Sequence, residues 1–294
     1  MSLKLKSVEE ALKWASFYLK QAGVENPRME AEVIFSNLMK TDRLKLCLNR
    51  DLGIDHDVEA VFQKLVARRS LGEPTAYITG EKYFYGNRFM LNSSVLIPRP
   101  ETELIIDCAI KWAEHMQGSS GKTINCLDLG TGSGILAVTL ALRLPEAQFW
   151  AVDISAVALE TAKHNASVLG VKDQIVFLKG SYFEPLAELD PKPQINLVVS
   201  NPPYIRKADF PDLPAEVRFE PIEALYGGED GLDAYRAILG SLPDNIKQPA
   251  LLLLEIGAGQ QQQVEKLCLQ AGCFHSLAWA YDLAGHPRVL QAAL

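Results

Sequence analysis

From residue 123 to the last residue, 294, short apolar runs alternate with segments of helical spacing, and that alternation constrains the fold more than any other feature of the chain. Runs near 123–128, 147–152, 174–178, 195–200, 250–256, 275–281 and 288–293 have the length of strands. Those that are almost unbroken Val, Ile and Leu need cover on both faces. Before and between the runs, residues 101–116, 134–143, 155–169, 231–240 and 260–271 place apolar side chains three and four apart, as helices do. Such alternation builds an α/β architecture: a doubly wound, mostly parallel sheet, here of seven strands. Ligands of these sheets bind outside the carboxyl ends of the strands, where the strand order reverses. The residues that follow each apolar run are therefore the ones to read for chemistry.

Residues 1–75 have a different character. Val8, Leu12, Ala15 and Leu19, then Ala31, Ile34, Phe35 and Leu38, then Val58, Val61, Phe62 and Leu65 give three helical segments, punctuated by Gly23, Asn26-Pro27 and Gly53. This predicts a small N-terminal helical bundle without a chemistry-bearing cluster, suited to packing or to recognising a partner. Over 76–98, the aromatic residues Tyr77, Tyr83, Phe84, Tyr85 and Phe89, broken by Gly80 and Gly86-Asn87, predict a hairpin linker, leaving 99–294 for the sheet domain. The net charge of −7 argues against a broad nucleic-acid footprint. Five cysteines without a Cys-x-x-Cys pair and five histidines without ligand spacing indicate neither a disulfide framework nor a metal site. No apolar run reaches the roughly eighteen residues of a membrane span, and the first 21 residues are charged and amphipathic rather than a signal peptide. The expectation is a cytoplasmic monomer that binds no membrane.

The strand ends carry the chemistry. The first run closes with Leu127-Asp128-Leu129 and opens into Gly130-Thr131-Gly132-Ser133-Gly134, a turn tight enough to bring a ligand against backbone N–H groups at a helix start. Ile135 stands where a dinucleotide fingerprint needs glycine, which disfavours NAD. The second run ends in Asp153, placed to accept both hydroxyls of a ribose, although it could equally cap the next helix, as Ser155 could. After the third run come Ser181, Tyr182 and Phe183, of which one ring suits a base and the other the core.

The fourth run, Ile195 to Val199, delivers Asn201-Pro202-Pro203-Tyr204. Two prolines have no N–H, so the Asn201 side-chain oxygen and the proline carbonyls make a compact group of acceptors beside an aromatic ring. That group suits an NH2. A nucleoside held at three strand ends, with acceptors at the fourth, is an arrangement for group transfer from a nucleoside cofactor to nitrogen. If that NH2 belongs to an amide, its nitrogen is a poor nucleophile, and removing its proton beforehand is costly. If Asn201 and the Pro202 carbonyl each accept one N–H, they hold the amide and stabilise the charge that develops on it. No general base is assigned, and Asp209 and Asp212 read as solvated charges. Arg99, between Pro98 and Pro100, stands where it could face a ligand.

Taken in order, Glu73-Pro74, Tyr77-Ile78, Leu96-Ile97-Pro98-Arg99-Pro100-Glu101-Thr102-Glu103, Asp128 to Gly134, Asn201 to Ile205 and Gly227-Gly228-Glu229-Asp230-Gly231-Leu232 resemble the peptide-chain release factor N(5)-glutamine methyltransferases, a class I S-adenosylmethionine-dependent family, over nearly the whole chain. The resemblance implies S-adenosyl-L-methionine as cofactor and the glutamine amide of a release factor's Gly-Gly-Gln loop as acceptor. It sets the methionine part against Gly130, Thr131, Gly132, Ser133 and Gly134, the ribose on Asp153, the adenine beside Tyr182, and the substrate amide on Asn201, Pro202, Pro203 and Tyr204, with Asn201 also facing the cofactor. The family often has an acid and then Trp where Ser181 and Tyr182 stand. Arg218-Phe219-Glu220-Pro221 also resembles the family, as a segment that closes over substrate. Adenine-N(6) DNA methyltransferases share the four-residue motif, but the acidic balance weighs against them. A non-catalytic nucleoside-binding module would bind cofactor and turn nothing over.

Overall fold

The computed structural model describes residues 5–120, 123–242 and 246–294. Its backbone divides into two units, Met1–Glu81 with Pro214–Phe219, and Lys82–Leu213 with Glu220–Leu294.

The first unit is helical: α1 (Val8–Gln21), α2 (Pro27–Leu38), α3 (Arg43–Leu48), α4 (His56–Ser70) and α5 (Thr75–Thr79). Local chemistry sets the helix starts. Ser7 caps α1 by accepting the Glu10 N–H, Pro27 supplies the fixed φ of the first turn of α2, and Asp42 caps α3 through the Lys45 N–H. Leu12, Ala15, Leu19, Ile34, Phe35 and Phe62 are fully buried, with the two phenylalanine rings edge to face at 4.7 Å. Three of the five helices follow the apolar spacing; α3 and α5 are too short to show a period. Two details differ from the sequence expectation. Tyr77 and Ile78 lie in α5, stopped by left-handed Gly80 (φ 73°), rather than in a hairpin, and Val61 faces outward, 42% exposed. The segment Pro214–Phe219 is held in this unit by Arg69, which is 3% exposed and pairs with both Glu30 and Glu216.

The second unit opens with a two-stranded sheet, β1 (Glu81–Phe84) and β2 (Asn87–Met90). They are joined through Tyr85 and Gly86, both at positive φ (49° and 77°) as a two-residue hairpin turn requires. Tyr85 tolerates that conformation because its N–H donates to Glu103 and its hydroxyl to Asp107, each at 2.8 Å. A 3₁₀ turn, Pro100–Thr102, leads into α6 (Glu103–Ser120). Then follow β3 (Asn125–Leu129), α7 (Ile135–Arg143), β4 (Gln148–Asp153), α8 (Ala156–Val168), β5 (Ile175–Lys179), β6 (Ile195–Ser200), α9 (Asp233–Gly240), β7 (Ile246–Glu255), α10 (Gln261–Ala271), β8 (Ser276–Tyr281) and β9 (Pro287–Ala293). The seven strands expected from the apolar runs are all present, in the order β5-β4-β3-β6-β7-β9-β8. Among the described residues, β9 alone runs opposite to the other six strands, pairing antiparallel with both β7 and β8.

Alternation along the strands divides the core between the two faces of the sheet. Cys126, Leu251 and Leu253 join α6 and α7 on one side, and Leu127, Leu252 and Leu254 join α9 and α10 on the other. Truncating one of these buried leucines to Ala costs about 2–5 kcal/mol. The order reverses between β3 and β6, where Leu129 pairs with Ser200 and the Ser200 hydroxyl donates to the Leu129 carbonyl at 2.6 Å. That seam holds the carboxyl ends of both strands together and fixes the place of the site. Among the described residues no helix is long and apolar enough to cross a membrane.

Candidate active site at the carboxyl ends of the strands

The glycine turn lies at one side of the seam. Gly130, Gly132 and Gly134 all have positive φ (72°, 57° and 82°), which a side chain would oppose. They serve different ends. A Cβ on Gly134 would stand 3.0 Å from the Ala162 Cβ, so this glycine lets α7 approach α8, whereas a Cβ on Gly130 would meet nothing within 4 Å. The turn therefore presents open backbone at Gly130 and Gly132. Thr131 and Ser133 are buried, and the Thr131 hydroxyl is spent inward on Asp128 Oδ2 at 2.6 Å. Asp128 also accepts the Ala137 N–H at 3.1 Å, and so ties the strand to the first turn of α7. Its Oδ1 is buried without a partner among the described residues, and burial raises its carboxyl to about 7 against the two hydrogen bonds it accepts.

Asp153, half-buried at the end of β4, does not cap α8; Ser155 does, accepting the Ala158 N–H at 3.2 Å. The Asp153 carboxylate is instead fixed from two sides at 2.8 Å, by the Gly132 N–H on Oδ2 and the Ser155 N–H on Oδ1. Burial raises its pKa, and those N–H groups oppose the rise. Its main-chain carbonyl accepts the Gly180 N–H at 3.1 Å, so the ends of β4 and β5 are joined as well. Beyond Gly180 the two rings differ in burial: Phe183 is buried in the core, while Tyr182 is half-buried against it at positive φ (43°), with its hydroxyl pKa raised by burial.

Across the seam, Pro202 is buried and Asn201, Pro203 and Tyr204 are half-buried. The Asn201 carboxamide is held through Nδ2, which donates to Thr102 Oγ1 at 3.1 Å, and Thr102 in turn donates to Glu255 Oε2 at 2.7 Å. The corner is clasped from behind by residues that sequence reasoning missed. Gln260, at the start of α10, is 7% exposed; its Nε2 donates to the carbonyls of Tyr204 and Gly231 at 3.1 Å, and its Oε1 accepts the Gly257 N–H at 2.9 Å. Glycine is required where this clasp closes, since a Cβ on Gly227 would stand 2.8 Å from Tyr204 Cα and one on Gly231 2.5 Å from the Tyr204 carbonyl. Burial, with Glu255 adding to it, keeps the Tyr204 phenol protonated. Several nearby charges are paired with one another. Arg99 pairs with buried Glu220, which also accepts the Ile97 N–H at 2.9 Å, and Asp209 pairs with Arg206 at the surface. Arg99 thus anchors the start of Glu220-Pro221.

Open backbone at Gly130 and Gly132, a pinned carboxylate acceptor at Asp153 and a half-buried aromatic at Tyr182 are a set of groups that fits a nucleoside sulfonium with an amino-acid tail. The family model for the PrmC N-terminal domain matches residues 10–80, and that for the methyltransferase small domain matches residues 110–214. Among solved structures, the N-terminal domain of human METTL16 in complex with SAH superposes with a TM-score of 0.52 at 15% identity, over 94% of this chain and 93% of that one, a likeness of fold. Fold and site together define a class I methyltransferase that uses S-adenosylmethionine. The chain is 36% identical over 288 residues to the release factor glutamine methyltransferase of Bacillus anthracis (98% of this chain, 99% of the relative) and 39% identical over 285 residues to that of Geobacter sulfurreducens (97% and 95%). With the Bacillus subtilis protein of the same name it shares 37% over 291 residues, 99% of each. It belongs to the release factor glutamine methyltransferase family.

Proposed function

We propose that this enzyme methylates the side-chain amide nitrogen of the glutamine in the Gly-Gly-Gln loop of a peptide-chain release factor, with Asn201 Oδ1 and the Pro202 carbonyl each accepting one N–H of that amide. The observation that carries the reading is the Asn201 carboxamide, half-buried and tied back through Nδ2 to Thr102, with no partner on its oxygen among the described residues, beside a carbonyl-only dipeptide. S-adenosylmethionine, when bound, supplies an electrophilic methyl group. Gly130 to Gly134 would hold its amino-acid part, Asp153 its ribose hydroxyls and Tyr182 its adenine.

The chain's own contribution is electrostatic and geometric. Two acceptors fix the amide plane, and they stabilise positive charge as it grows on nitrogen. The proton in excess leaves to water after transfer, so no base is needed. Tyr204, packed so that a Cβ on Gly257 would stand 2.9 Å from its ring, would wall the amide from solvent. The helical unit would help to hold the release factor, one copy of the enzyme acting per substrate in the cytoplasm, and the net charge of −7 disfavours DNA as the acceptor.

The test is intact-mass analysis of a release factor incubated with the enzyme and S-adenosylmethionine, followed by peptide mapping. One added methyl on the Gly-Gly-Gln glutamine is expected. Label appearing on DNA and not on release factor would overturn the reading.

A further inference from the structure

Asn201 ends a chain of hydrogen bonds that begins in a buried carboxylate. Glu255 closes β7 and is 2% exposed; Thr102 is fully buried in the 3₁₀ turn before α6. The Thr102 hydroxyl donates to Glu255 Oε2 at 2.7 Å and its oxygen receives Asn201 Nδ2 at 3.1 Å. A hydroxyl has one proton. Once that proton is committed to a carboxylate, the oxygen can only accept, and the carboxamide must turn its NH2 inward and its oxygen outward.

The geometry points to Thr102 and Glu255 as positioning residues that act through Asn201, setting which end of its carboxamide the substrate meets. The inference rests on the reading of Asn201 Oδ1 as an acceptor for the substrate N–H. Carboxamide oxygen and NH2 are nearly the same size, so shape alone does not choose between them. A flipped Asn201 would present NH2 to NH2, leaving both sets of donors unpaired and withdrawing the stabilisation of charge on nitrogen.

The same chain depends on a proton. Ionised, Glu255 can only accept. Protonated from water, it can donate to Thr102 Oγ1, and the Thr102 hydroxyl is then free to donate to Asn201, which favours the flipped carboxamide. Burial raises the Glu255 carboxyl to about 7; the Thr102 hydroxyl opposes that rise, Glu101 adds to it, and Arg288 and Arg99 oppose it. The other titratable groups that face it are the phenols of Tyr204 and Tyr235, the latter donating to the Glu255 main-chain carbonyl at 3.0 Å.

The experiment compares full-length T102V, T102S, E255Q and N201A with wild type in release-factor methylation, alongside calorimetric cofactor affinity. T102V is expected to lower kcat by about tenfold or more, with cofactor Kd within about twofold, and T102S to recover most of the rate. Wild-type kcat/KM should fall on the acid side of a midpoint near about 7, and E255Q should flatten that limb. T102V at the wild-type rate beside an inactive N201A overturns this inference alone; an active N201A overturns the reading beneath it. Loss of cofactor affinity in step with rate in both Thr102 variants, or an acid limb that persists in E255Q, also overturns the inference.

Discussion

The Asp153 carboxylate accepts the Gly132 N–H at 2.8 Å, which locks the end of β4 to the glycine turn that follows β3. Because Ser155 takes over the capping of α8, the acid is pinned by backbone N–H groups, Gly132 on one oxygen and Ser155 on the other, and is not consumed as a helix cap. Replacing Asp153 by Ala should therefore weaken cofactor binding by about tenfold to a hundredfold, the worth of one or two hydrogen bonds to a charged group. At saturating cofactor, kcat should stay within a few-fold of wild type. Isothermal titration of S-adenosylmethionine into both proteins checks this, and an unchanged Kd would remove Asp153 from the ribose site.

The glycines of the turn should separate stability from binding. Gly130→Ala pays for a left-handed alanine, about 1–2 kcal/mol, but meets no atom within 4 Å. Gly134→Ala pays the same backbone cost and also drives a methyl to 3.0 Å from the Ala162 Cβ, which adds about 1–3 kcal/mol of overpacking. Urea midpoints should fall further for Gly134→Ala. Cofactor affinity should fall further for Gly130→Ala, whose new methyl projects into the open side of the turn. The opposite ranking in either measurement would contradict the division of roles between the two positions.

The strand ends were legible because a parallel sheet announces them: an apolar run stops, and the next residue is polar or glycine. Gly130 after β3, Asp153 at the end of β4 and Asn201 after β6 all fall to that rule. So does Glu255, an acid ending the run Ala250 to Leu254, and the same rule applied there would have found it. Thr102 and Gln260 were not legible in this way. Thr102 meets Glu255 across 153 positions, and Gln260 meets Tyr204 across 56. Nothing local tells a threonine beside two glutamates at a helix start, or the first of four glutamines, that its polar group will be buried. The sheet brings those partners together, and helical periodicity carries no record of it. Asp153 and Ser155 show the reverse case, where two local candidates for one cap were visible and only the hydrogen bonds chose between them.

Gln260 joins three parts of the corner, and its loss should register in both stability and rate. Gln260→Ala removes the side chain that pairs the carbonyls of Tyr204 and Gly231 and the Gly257 N–H; one buried group left unpaired costs about 1–3 kcal/mol. Gln260→Glu should be worse above the carboxyl pKa, since it sets a charged acceptor against two carbonyls. Thermal denaturation should place the melting temperatures in the order wild type, Ala, Glu. Methylation should slow in the same order, with cofactor affinity little changed, because Tyr204 and not the glycine turn loses its support. A Glu variant as stable as wild type would mean that the Nε2 donors are not what holds the corner.

Asp128 should make stability depend on pH in a direction opposite to that of a salt-bridged acid. Folded, its carboxyl keeps its proton up to about 7, raised by burial from an ordinary value of 3.8. The folded state therefore binds the proton more tightly than the unfolded chain, so this group's contribution is fully present below the unfolded value and is lost as pH rises through about 7. A rise of roughly three pH units, at about 1.4 kcal/mol each, caps the effect near about 4 kcal/mol, and relaxation around the ionised group reduces what is observed. Asp128→Asn keeps an oxygen for the Thr131 hydroxyl and the Ala137 N–H and removes the charge beside the unpartnered Oδ1. The variant should gain stability over wild type in urea titrations above neutrality. That gain should shrink steadily as pH falls toward the unfolded value, whereas a gap independent of pH would show that Asp128 ionises at its ordinary value in the folded protein.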